Sequence, residues 1–439
     1  MHHPKGLYLL FTVEMWERFS YYGMRALLVL YLTAQYLSGG LGFSDKDASL
    51  IYGIFTGLVY FTPLIGGYIA DNFVGQRKSI VIGSLLMIAG HLSLASVQAL
   101  PALYIGLTLL ILGNGMFKPN ISVMVGGLYP DGDSRRDSAF TIFYMGINLG
   151  SFFAPIVTGW LAVNYGYRYG FLAAATGLTL GLLNYIILGR KLLGNVGMKA
   201  SGAIKEQGKE AHETKLTPEE KNRVKAVVIL TSFAIVFFAG YEQAGCSMTL
   251  FTEHYLDRNV NGFEVPTAWF QSLNPLMILI LAPLLSMFWG WLDRKGLGIS
   301  IPRKMGHGLI LLGLGFNVLI FALLSRGGDV NDLPDTSVKS PMWFMIAAYF
   351  LHTVGELCLS PIGLSMVSRL APVKYASLFM GVWLASSAVA NFFAGYLSSL
   401  TDAHGFLEIY LLLAVVSILL GVILTILNKP LLKLGGGKL

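Results

Sequence analysis

The stretch EMWERFSYYGMR, residues Glu14 to Arg25, lies inside an otherwise apolar run from Leu7 to Tyr36. On a helix advancing ~100° per residue, Glu14, Glu17, Arg18, Tyr21, Tyr22 and Arg25 share one face about 140° wide. The opposite face carries Trp16, Phe19, Gly23, Ala26 and Leu27. An ionisable group at the centre of a bilayer costs ~2.5 to 3.5 kcal/mol on insertion scales, so four charges on one apolar helix call for an explanation. They could be ion pairs that lock helix packing, with Glu14 and Arg18 bonded at i, i+4. They could instead line a water-accessible site that binds a solute and handles protons, which is what intramembrane acids and bases at this density usually mark. The density favours the second.

The rest of the chain supplies the membrane. Of 439 residues, 54% are hydrophobic and only 13% charged, which leaves no room for a large soluble domain. Gly and Pro are scattered through the apolar segments, as helices in lipid tolerate. The N-terminal MHHPKGLYLLF leads into a span too long and too charged for a secretory leader, so no cleavable signal is expected. Cys246 and Cys358 stand in separate apolar spans without CxxC spacing, which predicts buried thiols and neither a disulfide framework nor a metal site. No basic tract alternates with aromatics as nucleic-acid binding would require.

Stretches long enough to cross a ~30 Å core occur near residues 6–37, 47–71, 78–98, 101–125, 138–163, 169–190, 223–253, 267–292, 304–325, 341–369, 375–400 and 405–428. These predict an all-α membrane protein of twelve transmembrane helices. Loops on the side of the termini hold 23 of the 31 lysines and arginines and the opposite loops hold five; Arg18, Arg25 and Lys118 lie within spans. The bias puts both termini in the cytoplasm and accounts for the net charge of +7 without an anionic partner.

The longest hydrophilic segment falls midway, so the expected organisation is a six-helix bundle over 1–190, a cytoplasmic linker over 191–222 and a second six-helix bundle over 223–439. The linker ends in LTPEEKNRVK, with a helix start expected at Thr217 and Pro218. The halves echo each other. DNFVGQRKS at 71–79 follows the second span and DRKGLGISIPRK at 293–304 the eighth; Glu14 is repeated by Glu242, and Lys118 by Glu356. Two such halves with a site between them resemble the major facilitator architecture, and Asp71, Gly75, Arg77 and Lys78 match that superfamily's loop between helices 2 and 3.

Glu14, Glu17, Arg18, Phe19, Tyr21, Tyr22 and Gly23 match the ExxERFxYYG signature of the proton-coupled oligopeptide transporters position for position. FYMGINLGS at 143–151 resembles that family's second signature, FYxxINxGS, while GNGMFKPNIS at 113–122 and AGYEQAG at 239–245 are similar to its elements on helices 4 and 7. The chain is therefore identified as a member of the bacterial branch of that family. The resemblance implies proton coupling through Glu14, Glu17, Arg18, Lys118 and Glu242. It implies a peptide site formed by Tyr21, Tyr22, Arg25, Tyr60, Lys118, Asn148, Asn274, Glu356 and Trp383. In it Lys118 and Arg25 meet the peptide carboxylate and Glu356 its amino terminus. In a state closed to the outside, Arg25 would pair with Glu242, and Lys118 with Glu356 while substrate is absent.

The residue types suit that assignment. A zwitterionic dipeptide needs a cation at one end, an anion at the other and amides between that both donate and accept, as Asn148 and Asn274 do. Each has a plainer account: Asn148 stands between Gly146 and Gly150, a spacing typical of close helix packing, and Tyr60 and Trp383 could be core aromatics. The implied activity is proton-driven import of di- and tripeptides across a bacterial inner membrane. The proton serves as coupling ion, with no cofactor and no nucleic-acid or obligate protein partner. The alternative is a same-family carrier for nitrate or another peptide-like or amino-acid-derived solute. An enzyme is not expected, since neither HExxH nor GxSxG occurs and His352 with Glu356 lacks a third ligand; a channel would favour rings of like charge. Two departures stand out. The segment 191–222 is too short for the two extra helices bacterial members commonly carry there, and the second span lacks the histidine of animal members.

Overall fold

Backbone in lipid has no water to bond, so long apolar runs must satisfy their own amides as helices, and the computed structural model is helical almost throughout. The structure describes residues 3–130, 133–198, 200, 217–326, 338–371 and 376–436. Most of the expected linker, residue 199 and residues 201–216, lies outside the described residues.

By its internal packing the chain divides into two units, Met1–Phe43 with Leu58–Ala211, and Ser44–Gly57 with His212–Leu439. The first unit is built on α1 (Lys5–Thr33), the second part of α2 (Asp45–Ile69), α3 (Gln76–Ser96), α4 (Leu100–Gly127), α5 (Arg135–Tyr165) and α6 (Tyr167–Leu192). Here α1 packs on α5 and α6, and α3 on α4 and α6. Small residues let these backbones approach, as is usual where lipid supplies no hydrophobic drive between helices. A Cβ at Gly83 of α3 would lie 2.6 Å from the Gly113 carbonyl oxygen of α4, and one at Gly23 of α1 would lie 2.7 Å from Thr158 Cγ2 of α5. Between α2 and α3 the helix widens into a π turn, Ala70–Val74, and stops at Gly75, whose φ of 82° is open to glycine without strain.

The second unit holds the start of α2 with α7 (Pro218–Tyr241), α8 (Ser247–Tyr255), α9 (Leu273–Arg294), α10 (Ile301–Leu324), α11 (Trp343–Leu357), α12 (Ser360–Leu370), α13 (Ala376–Ser399), α14 (Thr401–Ile426) and α15 (Asn428–Leu434). The start of α7 is where the sequence marks it. The Glu220 amide donates to Thr217 Oγ1 at 3.2 Å and the Thr217 amide to Glu220 Oε2 at 2.9 Å, a reciprocal cap with Pro218 in the first turn. The N-terminal part of α2 lies on α13, with Ser49 Oγ 2.8 Å from Ser398 Oγ and a Cβ at Gly53 only 2.7 Å from Gly395 Cα. Four two-residue strands complete the unit: β1 (Leu256–Asp257) pairs with β4 (Ser340–Pro341), and β2 (Asn259–Val260) with β3 (Phe263–Glu264).

Among the described residues nine helical stretches are long and apolar enough to cross a membrane. The expected spans at 6–37, 341–369 and 375–400 are not among these nine. The helix α1 carries four charges within its apolar run, and the stretch 341–369 is broken into helices of 15 and 11 residues. The break at 341–369 has a counterpart. The expected span 223–253 runs as α7, a 3-10 turn over Glu242–Gly245 and then α8. Both interruptions fall at intramembrane acids, Glu242 in the turn itself and Glu356 at the end of α11.

Candidate functional site

In the first unit the charged face of α1 is turned inward. Glu14, Glu17 and Arg18 are buried, Glu17 completely. Arg18 Nε lies 3.1 Å from Glu14 Oε1 and also donates to Glu17 Oε2, so one guanidinium is shared by two carboxylates on successive turns. Glu17 Oε1 accepts a further hydrogen bond from Asn114 Nδ2 of α4 at 3.3 Å. When all three groups are ionised the trio carries one net negative charge, which a single proton would neutralise. Glu14 Oε2 and Arg18 Nη2 have no hydrogen-bond partner among the described residues, so the cluster retains an acceptor and a donor in a buried setting.

The aromatic neighbours extend that face. Arg18 sits 5.4 Å from the ring centre of Tyr21, and Arg25, about two turns further on, 5.6 Å from that of Tyr22. The two tyrosine rings meet edge to face at 5.3 Å. Lys118 Nζ of α4 lies 4.3 Å from the ring centre of Tyr60 on α2, close enough for a cation–π attraction. Tyr60 and Lys118 are thus brought together, and both are half-buried.

The second signature does a different job. A Cβ at Gly150 would overlap the Met15 carbonyl oxygen and come within 3.0 Å of the Phe19 amide nitrogen, and one at Gly146 would come within 2.9 Å of the Phe11 ring. These glycines let α5 lie directly on the charged helix. Asn148 between them is buried and donates to the Tyr144 carbonyl of its own helix at 3.0 Å. The packing account thus holds for the flanking glycines, and the Asn148 amide nitrogen is engaged in its own helix.

In the second unit Glu356 is the centre. Its Oε2 accepts from Tyr241 Oη at 2.7 Å and from Asn274 Nδ2 at 2.9 Å, while Asn274 also donates to Thr353 Oγ1 at 3.1 Å. Three elements converge here: the end of α7, the start of α9 and the end of α11. A helix end exposes carbonyls that no longer bond within the helix, and irregular backbone at membrane depth is tolerated where it lines a cavity or is buried in protein. Glu242 is buried in the turn that follows Tyr241. Trp383 of α13 is also buried, its indole pressed so close over Gly363 of α12 that no Cβ could be accommodated there. His352 is engaged elsewhere: Nε2 lies 3.1 Å from the Leu312 carbonyl of α10 and the ring packs on Phe316 at 4.8 Å.

Three participants escaped the sequence reading. Asn114, Tyr241 and Thr353 each touch a candidate acid or its partner. Asn114 and Tyr241 stand inside the motifs already quoted, GNGMFKPNIS and AGYEQAG, where a polar side chain one turn before Lys118 or adjoining Glu242 was the available signal.

The sequence matches the profile of the POT family over residues 77–202 and 195–411. It is 37% identical to the peptide transporter YePEPT of Yersinia enterocolitica over 90% of this chain and 87% of that protein. It is 32% identical to a di-/tripeptide transporter of Lactococcus lactis subsp. cremoris over 99% and 97%. A crystal structure of a peptide transporter POT in complex with sulfate superposes with a TM-score of 0.91 at 34% identity, covering 98% of this chain and 96% of that one. The all-α, multi-pass membrane fold is accordingly that of the major facilitator transporters, and this chain belongs to the POT family of proton-coupled oligopeptide transporters.

Proposed function

We propose that this chain is a proton-driven symporter that imports di- and tripeptides by alternating access. It would do so as twelve helices in two six-helix halves, 1–190 and 223–439 joined by the linker 191–222, in a bacterial inner membrane with both termini cytoplasmic. The observation that carries the reading is the buried Glu14–Arg18–Glu17 trio, two carboxylates sharing one guanidinium on a helix of a transporter-family chain. Such a cluster has one acid in excess of its base and so a place for one proton.

In this reading Glu14, Glu17 and Arg18 take up and release the proton, with Lys118 and Glu242 coupling its arrival to the substrate. Lys118 and Arg25 attract the peptide carboxylate and Glu356 the peptide ammonium. Tyr241 and Asn274 support Glu356 with uncharged donors, so its negative charge is available to a cationic ligand. Tyr21, Tyr22, Tyr60, Asn148 and Trp383 would contribute aromatic faces and amide groups for backbone and side chains, which favours selection by length and backbone over side-chain identity. One proton moving down 100 mV yields ~2.3 kcal/mol, and a tenfold gradient adds ~1.4 kcal/mol. Together they support accumulation of roughly several hundredfold per proton.

Competition against uptake of a labelled dipeptide at mildly acidic pH tests the substrate class. Inhibition by di- and tripeptides but not by free amino acids or nitrate is expected. Inhibition by nitrate or by a lone amino-acid derivative, with peptides inert, would replace this reading with that of another solute.

A further inference from the structure

A groove with a volume of about 570 Å³ opens between the first turns of α3 and the last turns of α6. Arg77, Lys78 and Arg190 line it at the helix ends, and no carboxylate is among its described lining residues. One turn deeper the lining changes to Val81, Ile82, Tyr185 and Ile186. Ile82 and Ile186 are 41% and 53% exposed, so this wall faces outward and is not closed by the protein's own core. The order along the helix axes is therefore cationic at the end of the bundle and apolar toward its middle.

The groove is a fixed feature of the fold. Arg77 Nε donates to the Val196 carbonyl at 2.7 Å and Nη2 to the Gly194 carbonyl at 2.8 Å, while the Arg77 amide donates to the Gly197 carbonyl at 3.0 Å. The turn after α6 is thereby tied across the start of α3. Tyr185 is anchored on its inner side, its hydroxyl 3.4 Å from Met124 Sδ.

We propose that this groove binds one anionic phospholipid, its phosphate held by Arg77, Lys78 and Arg190 and an acyl chain laid along Val81, Ile82 and Ile186. Charge complementarity selects the headgroup: each Lys or Arg near an anionic lipid surface contributes about 1 kcal/mol. The apolar wall distinguishes a lipid from a free phosphate, because burying methylene groups adds to affinity only when the phosphate carries chains. The groove's described lining includes no residue of α1, and none of its residues is assigned a part in transport.

The test uses the full-length protein in detergent, titrated with phosphatidylglycerol and read by native mass spectrometry as occupancy of the first lipid adduct. Phosphatidylcholine and glycerol 3-phosphate are run alongside. Phosphatidylglycerol is expected to bind at least tenfold more tightly than phosphatidylcholine, and glycerol 3-phosphate to give no adduct at the same concentrations. The double variant Lys78→Gln/Arg190→Gln should bind phosphatidylglycerol about thirtyfold more weakly, two cations at ~1 kcal/mol each and 1.4 kcal/mol per factor of ten. Phosphatidylcholine binding should be unchanged, which reports that the variant is folded. Arg77 is left in place because it holds the turn. A second variant fills the groove and keeps every charge: a Cβ at Gly189 meets only Leu193 Cδ1, at 3.7 Å, so Gly189→Leu is accommodated by the backbone and should also lose the tight adduct. Equal binding of the two lipids by the wild-type protein, undiminished phosphatidylglycerol binding by either variant, or glycerol 3-phosphate binding as tightly as the lipid would each overturn the proposal.

Discussion

Glu17 and Glu356 are both carboxylates in apolar surroundings, yet they are held in opposite ways. Glu17 is fully buried on an unbroken helix and bonded to a cation, Arg18, which it shares with Glu14. Glu356 is half-buried at the end of a helix, and its hydrogen-bond partners among the described residues, Tyr241 and Asn274, are uncharged. A buried charge must be paired or hydrogen-bonded to be tolerated, and the two sites answer that demand differently. At the first acid an internal cation already meets the charge. Neutral donors leave the second able to receive a cation from outside. On the proposed reading the contrast corresponds to a proton site and a ligand site.

The substitution expected to have the largest effect is Glu17→Gln. Arg18 keeps Glu14 as its counter-ion, so the variant should fold, but the trio then has no acid in excess. Uptake driven by a pH gradient should be abolished while counterflow exchange of peptide persists.

Next in size is Glu356→Gln. A hydrogen bond to a charged group contributes ~1.5 to 3 kcal/mol, which Gln would forfeit toward a peptide ammonium. The KM for peptides with a free amino terminus should rise roughly ten- to a hundredfold, and N-acetylated peptides should be transported no worse than by the wild type. If the two kinds of peptide are affected equally, Glu356 is not the ammonium partner and the comparison fails on its second side.

Smaller effects probe the frame around α1. Gly150→Ala would push a Cβ into the Met15 carbonyl oxygen and to 3.0 Å from the Phe19 amide nitrogen, so α5 must shift off the helix that carries the trio. Overpacking costs ~1 to 3 kcal/mol where side chains can give, and more is expected against backbone; a lowered thermal midpoint with reduced gradient-driven uptake should be seen on detergent-purified protein and in proteoliposomes. Asn148→Ala should do least. Its amide nitrogen already bonds the Tyr144 carbonyl, so peptide KM is expected to change by about twofold or less, the worth of one modest hydrogen bond. A tenfold rise would place Asn148 on the substrate.

Much of the first region was legible in the sequence. The i, i+4 spacing of Glu14 and Arg18 and the common face of α1 follow from helical periodicity alone, and the ion pair is found where the spacing puts it. What spacing could not supply was Asn114, because its meeting with Glu17 depends on how α4 lies beside α1. The second region was harder to read. The stretches 223–253 and 341–369 are apolar enough to pass for continuous helices, and their interruptions at Glu242–Gly245 and after Leu357 are tertiary outcomes. Gly240, Gly245 and Pro361 flank those breaks and were the available signs, since Pro is suited to the first turn of a new helix. Tyr241 and Thr353 became visible only once three chain segments had converged on Glu356. Periodicity reports which residues share a helix face; it does not report where a helix stops for the sake of a neighbour.

The division of labour is tested most directly by one ratio, gradient-driven uptake over counterflow exchange of the same labelled dipeptide, for Glu17→Gln and Glu356→Gln in parallel proteoliposome preparations. The ratio should collapse toward zero for Glu17→Gln, whereas for Glu356→Gln both rates should fall together and leave the ratio near that of the wild type. The same ratio in both variants, or an unchanged ratio in Glu17→Gln, would contradict that division.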